Sequence, residues 1–183
     1  LALQVATAPE SRTGSPEAER RMEVVADMLA GEMLQAREAR VASPAAAHRQ
    51  LLPFPLADSP DPGFTATYLV DDSLDVGGDD QGAALFVVFT PLGQTGYDTA
   101  FVGFADYARG GKAAPRVVDF LDWDRDGAVE LLLEVAGTHA SWFRAVGLLD
   151  EEWGAVFEDQ CDPRTAPVDT APGRQPALWP WCG

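Results

Sequence analysis

From residue 64 onward the chain is a succession of short runs rich in β-branched and aromatic residues. They are FTATYLV (64–70), ALFVVF (84–89), TAFVGFADY (99–107), RVVDFL (116–121), VELLLEV (129–135), SWFRAV (141–146) and EWGAVFE (152–158). Gly, Pro and Asp clusters separate them, and runs of this length bounded by turn residues read as strands. Short links between successive strands favour an antiparallel meander. ALFVVF is apolar at every position, so both of its faces need cover and it should be a central strand.

A helix ahead of these runs can supply that cover. Ser15 suits the N-cap, Pro16 the first helical position, and Glu17 and Glu19 complement the dipole at the N-terminus. Met22, Val25, Met28, Leu29 and Met33 recur at helical spacing, and Arg37 and Arg40 precede Ser43-Pro44. This predicts one amphipathic helix over 16–41, its methionine stripe packed on the protein's own sheet. A partner surface is the alternative use of that stripe. Residues 1–14 read as an irregular arm and 43–63 as a Pro-rich connector. The expected fold is α+β: an N-terminal amphipathic helix on an antiparallel β-meander of about six or seven strands, within one domain over 15–160. An extended tail follows over 161–183.

Charge narrows the function classes. The 29 acidic and 13 basic residues leave a formal net charge of −16, a field that repels nucleic acid and anionic lipid. The same field attracts divalent cations and basic protein patches. Lys112 is the one lysine, which together with the Ala, Gly and Pro content points to a GC-rich, bacterial genome. No apolar run approaches the roughly 18 residues of a transmembrane helix. Cys161 and Cys182 stand in a Pro/Asp/Thr-rich stretch that offers them no core of its own. A disulfide closing that stretch would remove chain entropy worth roughly 3 kcal/mol. It implies an extracytoplasmic location, periplasm or cell exterior; two unrelated buried thiols are the alternative. Ala6-Thr7-Ala8 mimics a signal-cleavage pattern, without a basic segment ahead of it.

The most specific local pattern is LDWDRDGAVELLL, 121–133. Asp122, Asp124 and Asp126 alternate, Gly127 permits a sharp turn, and Glu130 is the ninth loop position. Alternate carboxylates on a curling backbone suit the oxygen-rich shell of Ca²⁺. They repel by about 3 kcal/mol for each pair drawn to ~5 Å at an effective dielectric of about 20. A fixed turn therefore calls for a cation; otherwise the loop splays into water. An EF-hand needs an acid at loop position twelve, where this chain has Leu133. D-x-D-x-D-G-x-x-[DE]-L between strands instead resembles the calcium loop of FG-GAP repeats, the propeller repeats of integrin α-subunits. The resemblance covers about 116–135. It implies Ca²⁺ held by Asp122, Asp124, Asp126 and Glu130 and by the carbonyl of Ala128. The family's Phe-Gly and Gly-Ala-Pro flanks are missing, and the chain is too short for a propeller. A second acidic stretch, DDSLDVGGDD (71–80), lacks the alternation and reads as a solvated hairpin loop, with a second ion site as the alternative.

Catalytic patterns are scarce. His48 and His139 are far apart, Ser141 lacks a nucleophile elbow, and no phosphate loop or dinucleotide fingerprint occurs. The chain therefore reads as non-catalytic. Trp179 and Trp181 flank Pro180 and point the same way in an extended strand, either onto the domain's own sheet or as candidate contacts with a partner protein or a membrane interface. The function expected is a calcium-stabilised, extracytoplasmic protein-interaction domain, an accessory or structural subunit on the outer face of a membrane complex. Two alternatives are an exported hydrolase or carbohydrate-binding module using Trp142, Trp153 and nearby acids, and a fragment of a larger FG-GAP-type repeat protein.

Overall fold

The computed structural model describes residues 16–36, 47–57, 59–72, 74–77, 81–93, 96–123 and 125–159. The arm over 1–14, the expected helix end beyond Ala36, Asp124, and the tail with Cys161, Trp179, Trp181 and Cys182 lie outside the described residues.

Helix α1 (Pro16–Ala36) is followed by β1 (His48–Leu56), β2 (Ser59–Val70), β3 (Ala83–Leu92) and β4 (Gly96–Asp106). A single helical turn, α2 (Tyr107–Gly110), then leads into β5 (Ala113–Leu121), β6 (Glu130–Gly137), β7 (Ser141–Leu149) and β8 (Glu152–Glu158). Each set of four strands pairs in sequence order, giving sheet A (β1–β4) and sheet B (β5–β8), both wholly antiparallel. All seven runs expected to be strands are strands. The count among the described residues is eight, and they form two sheets rather than one meander.

The added strand is β1, which runs through the stretch expected to be a connector. It pairs with β2 alone, from His48 opposite Leu69 to Leu56 opposite Ser59, with a register shift between Phe54 and Leu56. Proline lacks a donor and is tolerated on an edge strand or at a bulge. Pro53 and Pro55 meet that condition because, among the described residues, β1 has no neighbour on its other side. Ser59-Pro60-Asp61-Pro62 likewise extends β2 at its start.

Strand β3 is buried on both faces, as its sequence requires. Leu85, Val87 and Phe89 join Phe64, Ala66, Tyr68 and Val70 of β2 beneath α1, while Phe86 and Val88 point into the space between the sheets. The helix seats Met22, Ala26, Ala30 and Leu34 on sheet A, a strict four-residue ridge in which two alanines allow close approach to the strands. Val25, Leu29 and Met33 flank that ridge. Met28, expected in the stripe, faces solvent at 57% exposure, because it lies two residues from both Ala26 and Ala30 and so on the opposite side of the helix. A polar latch completes the docking. Asp27 accepts hydrogen bonds from the Tyr68 hydroxyl (2.9 Å) and from Arg49 (2.7 Å). Burial and the Asp27 carboxylate hold the Tyr68 phenol far above its usual range.

Between the sheets lie Phe54, Phe86 and Val88 from sheet A against Val117, Leu131, Leu133, Val135, Trp142 and Val146 from sheet B. The crossing from one sheet to the other falls at residues 107–112. Asp106 caps α2 by accepting from the Ala108 amide at 3.1 Å, and Gly111, at φ 76°, donates its amide to the Tyr107 carbonyl. The outcome is three layers: helix, sheet A, sheet B. Sheet A is covered on both faces. No described element covers the outer face of sheet B.

Candidate functional site

The acidic loop connects β5 to β6, the hairpin position its sequence predicts. Arg125 (φ 66°) and Gly127 (φ 89°) both take left-handed backbone conformations, which curl the loop. Asp126 Oδ1 accepts the Ala128 amide at 2.7 Å, closing a turn within it. Glu130, the first residue of β6, is 7% exposed and reaches back so that its Oε2 accepts the Trp123 amide at 2.7 Å. Space for its side chain comes from Gly147 on β7, where an added Cβ would lie 3.0 Å from Glu130 Cγ. Asp122 and Asp126 are exposed. Among the described residues, no three His, Cys, Asp or Glu side chains converge as a metal-ligating group. Of the expected ligand set, Asp122, Asp126, Ala128 and Glu130 are described and Asp124 is not.

The loop carries a tryptophan onto the outer face of sheet B. The Trp123 ring is 55% exposed and lies 5.7 Å, centroid to centroid, from Phe157 of β8. Phe157 is opposite Ala145 and Ala145 opposite Leu132, so these residues share the outward face across three strands. Phe143, two residues from Ala145 on β7, belongs to the same face. A register shift in β8 turns Val156 toward Gly147 as well. Phe143, Val156 and Phe157 are each around two-fifths exposed, at 43%, 39% and 43%. Carboxylates and an arginine rim the cluster: Glu130 at one end, and Glu134, paired with Arg116, opposite Phe143. This surface was missed from sequence. Its residues belong to three strands and one loop, and only the register brings them together.

The second acidic stretch is organised around a buried cation. Lys112 Nζ lies 2.6 Å from Asp72 Oδ1 and donates to the carbonyls of Asp75 (2.7 Å) and Gly77 (2.8 Å). Both charged side chains are buried, at 1% and 4% exposure. The Tyr107 hydroxyl donates to Asp72 Oδ2 at 2.7 Å, and burial followed by that bond drives its phenol far above the usual range. Gly77 donates its amide to the Gly137 carbonyl of β6, tying the loop to sheet B. The expectation of a purely solvated hairpin is thereby corrected for Asp72.

The remaining candidates disperse. His48 opens β1 on sheet A and His139 lies in the β6–β7 turn of sheet B, both exposed. Trp142 is 1% exposed in the core between the sheets, and Trp153 packs edge-on against Phe54 at 5.8 Å. These two tryptophans face inward rather than lining a cleft. A shallow, open depression of about 500 Å³ lies beside α2, between Phe104, Asp106, Arg109 and Gly111. No helix among the described residues is long and apolar enough to cross a membrane. Compared with known proteins, the chain matches no family model, no curated protein and no solved structure.

Proposed function

We propose that this is a non-catalytic, extracytoplasmic protein-interaction domain whose contact surface is the outer face of sheet B. The observation that carries the reading is the cluster of Trp123, Phe143, Val156 and Phe157, exposed on a sheet whose other face packs against sheet A. Aromatic residues gathered on one face and rimmed by charge are the composition of protein contact surfaces. An accessory or structural subunit on the outer face of a membrane complex fits such a scaffold. A Cys161–Cys182 bridge would suit it to an oxidising compartment.

Calcium at the β5–β6 loop belongs to the same proposal. Asp122, Asp124, Asp126, Glu130 and the Ala128 carbonyl supply only hard oxygen donors, the chemistry Ca²⁺ takes. Asp126 and Glu130 each accept a backbone amide of the loop, which holds both carboxylates on its inner turn. Bound there, the ion would draw the loop's carboxylates together, neutralise them and fix the loop that carries Trp123. Thermal melting in calcium and in EGTA checks this. Saturation at a hundredfold excess over Kd stabilises by about 2.7 kcal/mol, which for a chain of this size raises Tm by about 5–10 °C. An unchanged melt would remove calcium from the proposal.

The contact surface is tested by affinity capture from an extracytoplasmic fraction, with the full chain and with Trp123→Ser/Phe157→Ser. The reading expects a specific co-purifying protein that the double variant loses. Identical recovery with both chains would refute it.

A further inference from the structure

We propose that the partner of the outer face of sheet B is a cationic protein segment, one that presents arginines on either side of an apolar middle. The inference rests on the reading of that face as a contact surface and names the chemistry of what binds there.

The face is apolar along its middle and acidic at both edges. Asp119 of β5 is opposite Leu132, Leu132 opposite Ala145, and Ala145 opposite Phe157, so one row crosses all four strands from a carboxylate to an aromatic ring. The next outward row holds Gly147 opposite Gly154. An added Cβ at Gly154 would meet nothing within 4 Å, so the surface beside Phe157 is open there. Glu152 stands one outward position further along β8, opposite Leu149. Trp153, between Gly154 and Glu152, faces inward onto Phe54. Asp119 and Glu152 are both exposed. They sit on the outermost described strands of the sheet, three strand spacings or about 14 Å apart across it.

Charge selects the occupant. Residues 113–159, which make sheet B and its turns, hold eleven acidic residues and three arginines, a formal −8. About a quarter of the chain therefore carries half of the total −16. The two arginines on the strands are already engaged, Arg116 with Glu134 and Arg144 with Glu158. A face that is negative at both edges matches a positive partner. A second copy of this chain would bring another −16 to the same place. Nucleic acid and anionic lipid are repelled for the same reason.

The aromatic side chains narrow the cation to arginine. A guanidinium is planar, and it stacks on an indole or phenyl face while its N–H groups pair with a carboxylate. Trp123, its ring beside Phe157, presents an exposed indole, the strongest cation–π acceptor among the side chains. A lysine ammonium is more strongly hydrated and gives up more water to sit there. Between the arginines, apolar side chains of the segment would lie on Phe143 and Val156, whose exposed surface they take out of water.

Fluorescence anisotropy of three labelled peptides, alternating leucine with arginine, with lysine or with glutamate, tests the proposal on the full-length chain. The arginine peptide should bind the wild type and the glutamate peptide should not. Asp119→Asn/Glu152→Gln leaves the aromatic residues in place, and Trp123→Ser/Phe157→Ser leaves the charge in place. Each should weaken the arginine peptide roughly tenfold, as the loss of two contacts of this kind implies. Glu19→Gln/Glu32→Gln removes as much charge from exposed positions of α1 and should leave the affinity unchanged. The lysine peptide should bind several-fold more weakly than the arginine peptide. Equal weakening by the helix variant and by Asp119→Asn/Glu152→Gln would overturn the proposal, by showing diffuse attraction to an acidic molecule. Wild-type affinity in Asp119→Asn/Glu152→Gln or in Trp123→Ser/Phe157→Ser would overturn it too. Equal binding of the lysine and arginine peptides would overturn the assignment to arginine. Failure of the contact-surface reading is distinguishable: capture then yields no protein that Trp123→Ser/Phe157→Ser loses. Failure of the cationic assignment leaves that capture intact and removes the peptide selectivity.

Discussion

Lys112 shows what a single side chain does in this molecule. Its ammonium gathers one carboxylate and two carbonyls of the β2–β3 loop within 2.6–2.8 Å, buried from water. Taking a charge pair out of water is expensive, and it is tolerated where the donors and acceptors are met by well-placed partners. Here Asp72 is met from two sides, by Lys112 and by the Tyr107 hydroxyl. Lys112→Met removes the cation and leaves Asp72 buried without its counter-charge, so a loss of about 3–5 kcal/mol is expected in urea unfolding. Lys112→Met/Asp72→Asn should recover part of that loss, since no uncompensated charge then remains. The sequence offered one hint of this role: a lone lysine in a chain whose other basic residues are arginines and histidines. Nothing local pointed to Asp72, which lies 40 positions away and meets Lys112 only across the junction of the two sheets.

At the scale of elements, the seven β-rich runs and the helix were legible because period and punctuation are local properties. Strand β1 was not, because its prolines outweighed its apolar residues in any local reading. What makes it a strand is long-range: pairing with β2 and the seating of Phe54. That side chain is 1% exposed, stacks on Phe120 at 5.9 Å and meets Trp153 edge-on at 5.8 Å. Gly63, opposite Phe54 in the ladder, makes room for the ring, which would lie 2.6 Å from an added Cβ. Phe54→Ala should therefore destabilise the fold by about 3–5 kcal/mol, the cost of emptying an aromatic site in a packed core. Chemical denaturation reads it directly. A loss below about 1 kcal/mol would mean that β1 is an ornament on the sandwich rather than part of it.

The whole molecule has a titration that follows from its two buried tyrosines. Tyr68 and Tyr107 are almost fully buried, and each donates to a carboxylate, so both keep their protons in the folded state well beyond the ordinary phenol value of 10.0. Below pH 10 the folded and unfolded chains hold these protons equally, and stability is unaffected. Above it the unfolded chain releases them while the folded chain does not, which favours unfolding by up to about 1.4 kcal/mol per pH unit for each tyrosine. The urea midpoint should accordingly fall steeply above pH 10. Tyr68→Phe should flatten that fall, since phenylalanine has no proton to lose. A midpoint independent of pH from 9 to 11 would contradict the buried, bonded state of both phenols.

The sequence by itself determined the strand-forming runs, the amphipathic helix, the doubly buried character of β3 and the hairpin position of the acidic loop. Each follows from residue order over a dozen positions or fewer, where alternation, capping and turn chemistry act. The tertiary structure alone decided that the strands divide into two sheets at α2, because link length does not mark the division: 107–112 joins the sheets, while the longer 71–82 joins β2 to β3 within sheet A. It decided that Met28 faces water while Ala26 and Ala30 touch the sheet, since the closest approach of helix and strands selects small side chains. It also placed Trp123, Phe143, Val156 and Phe157 on one face that no other described element covers. That surface depends on pairing register and a bulge, and register is fixed only when the strands meet.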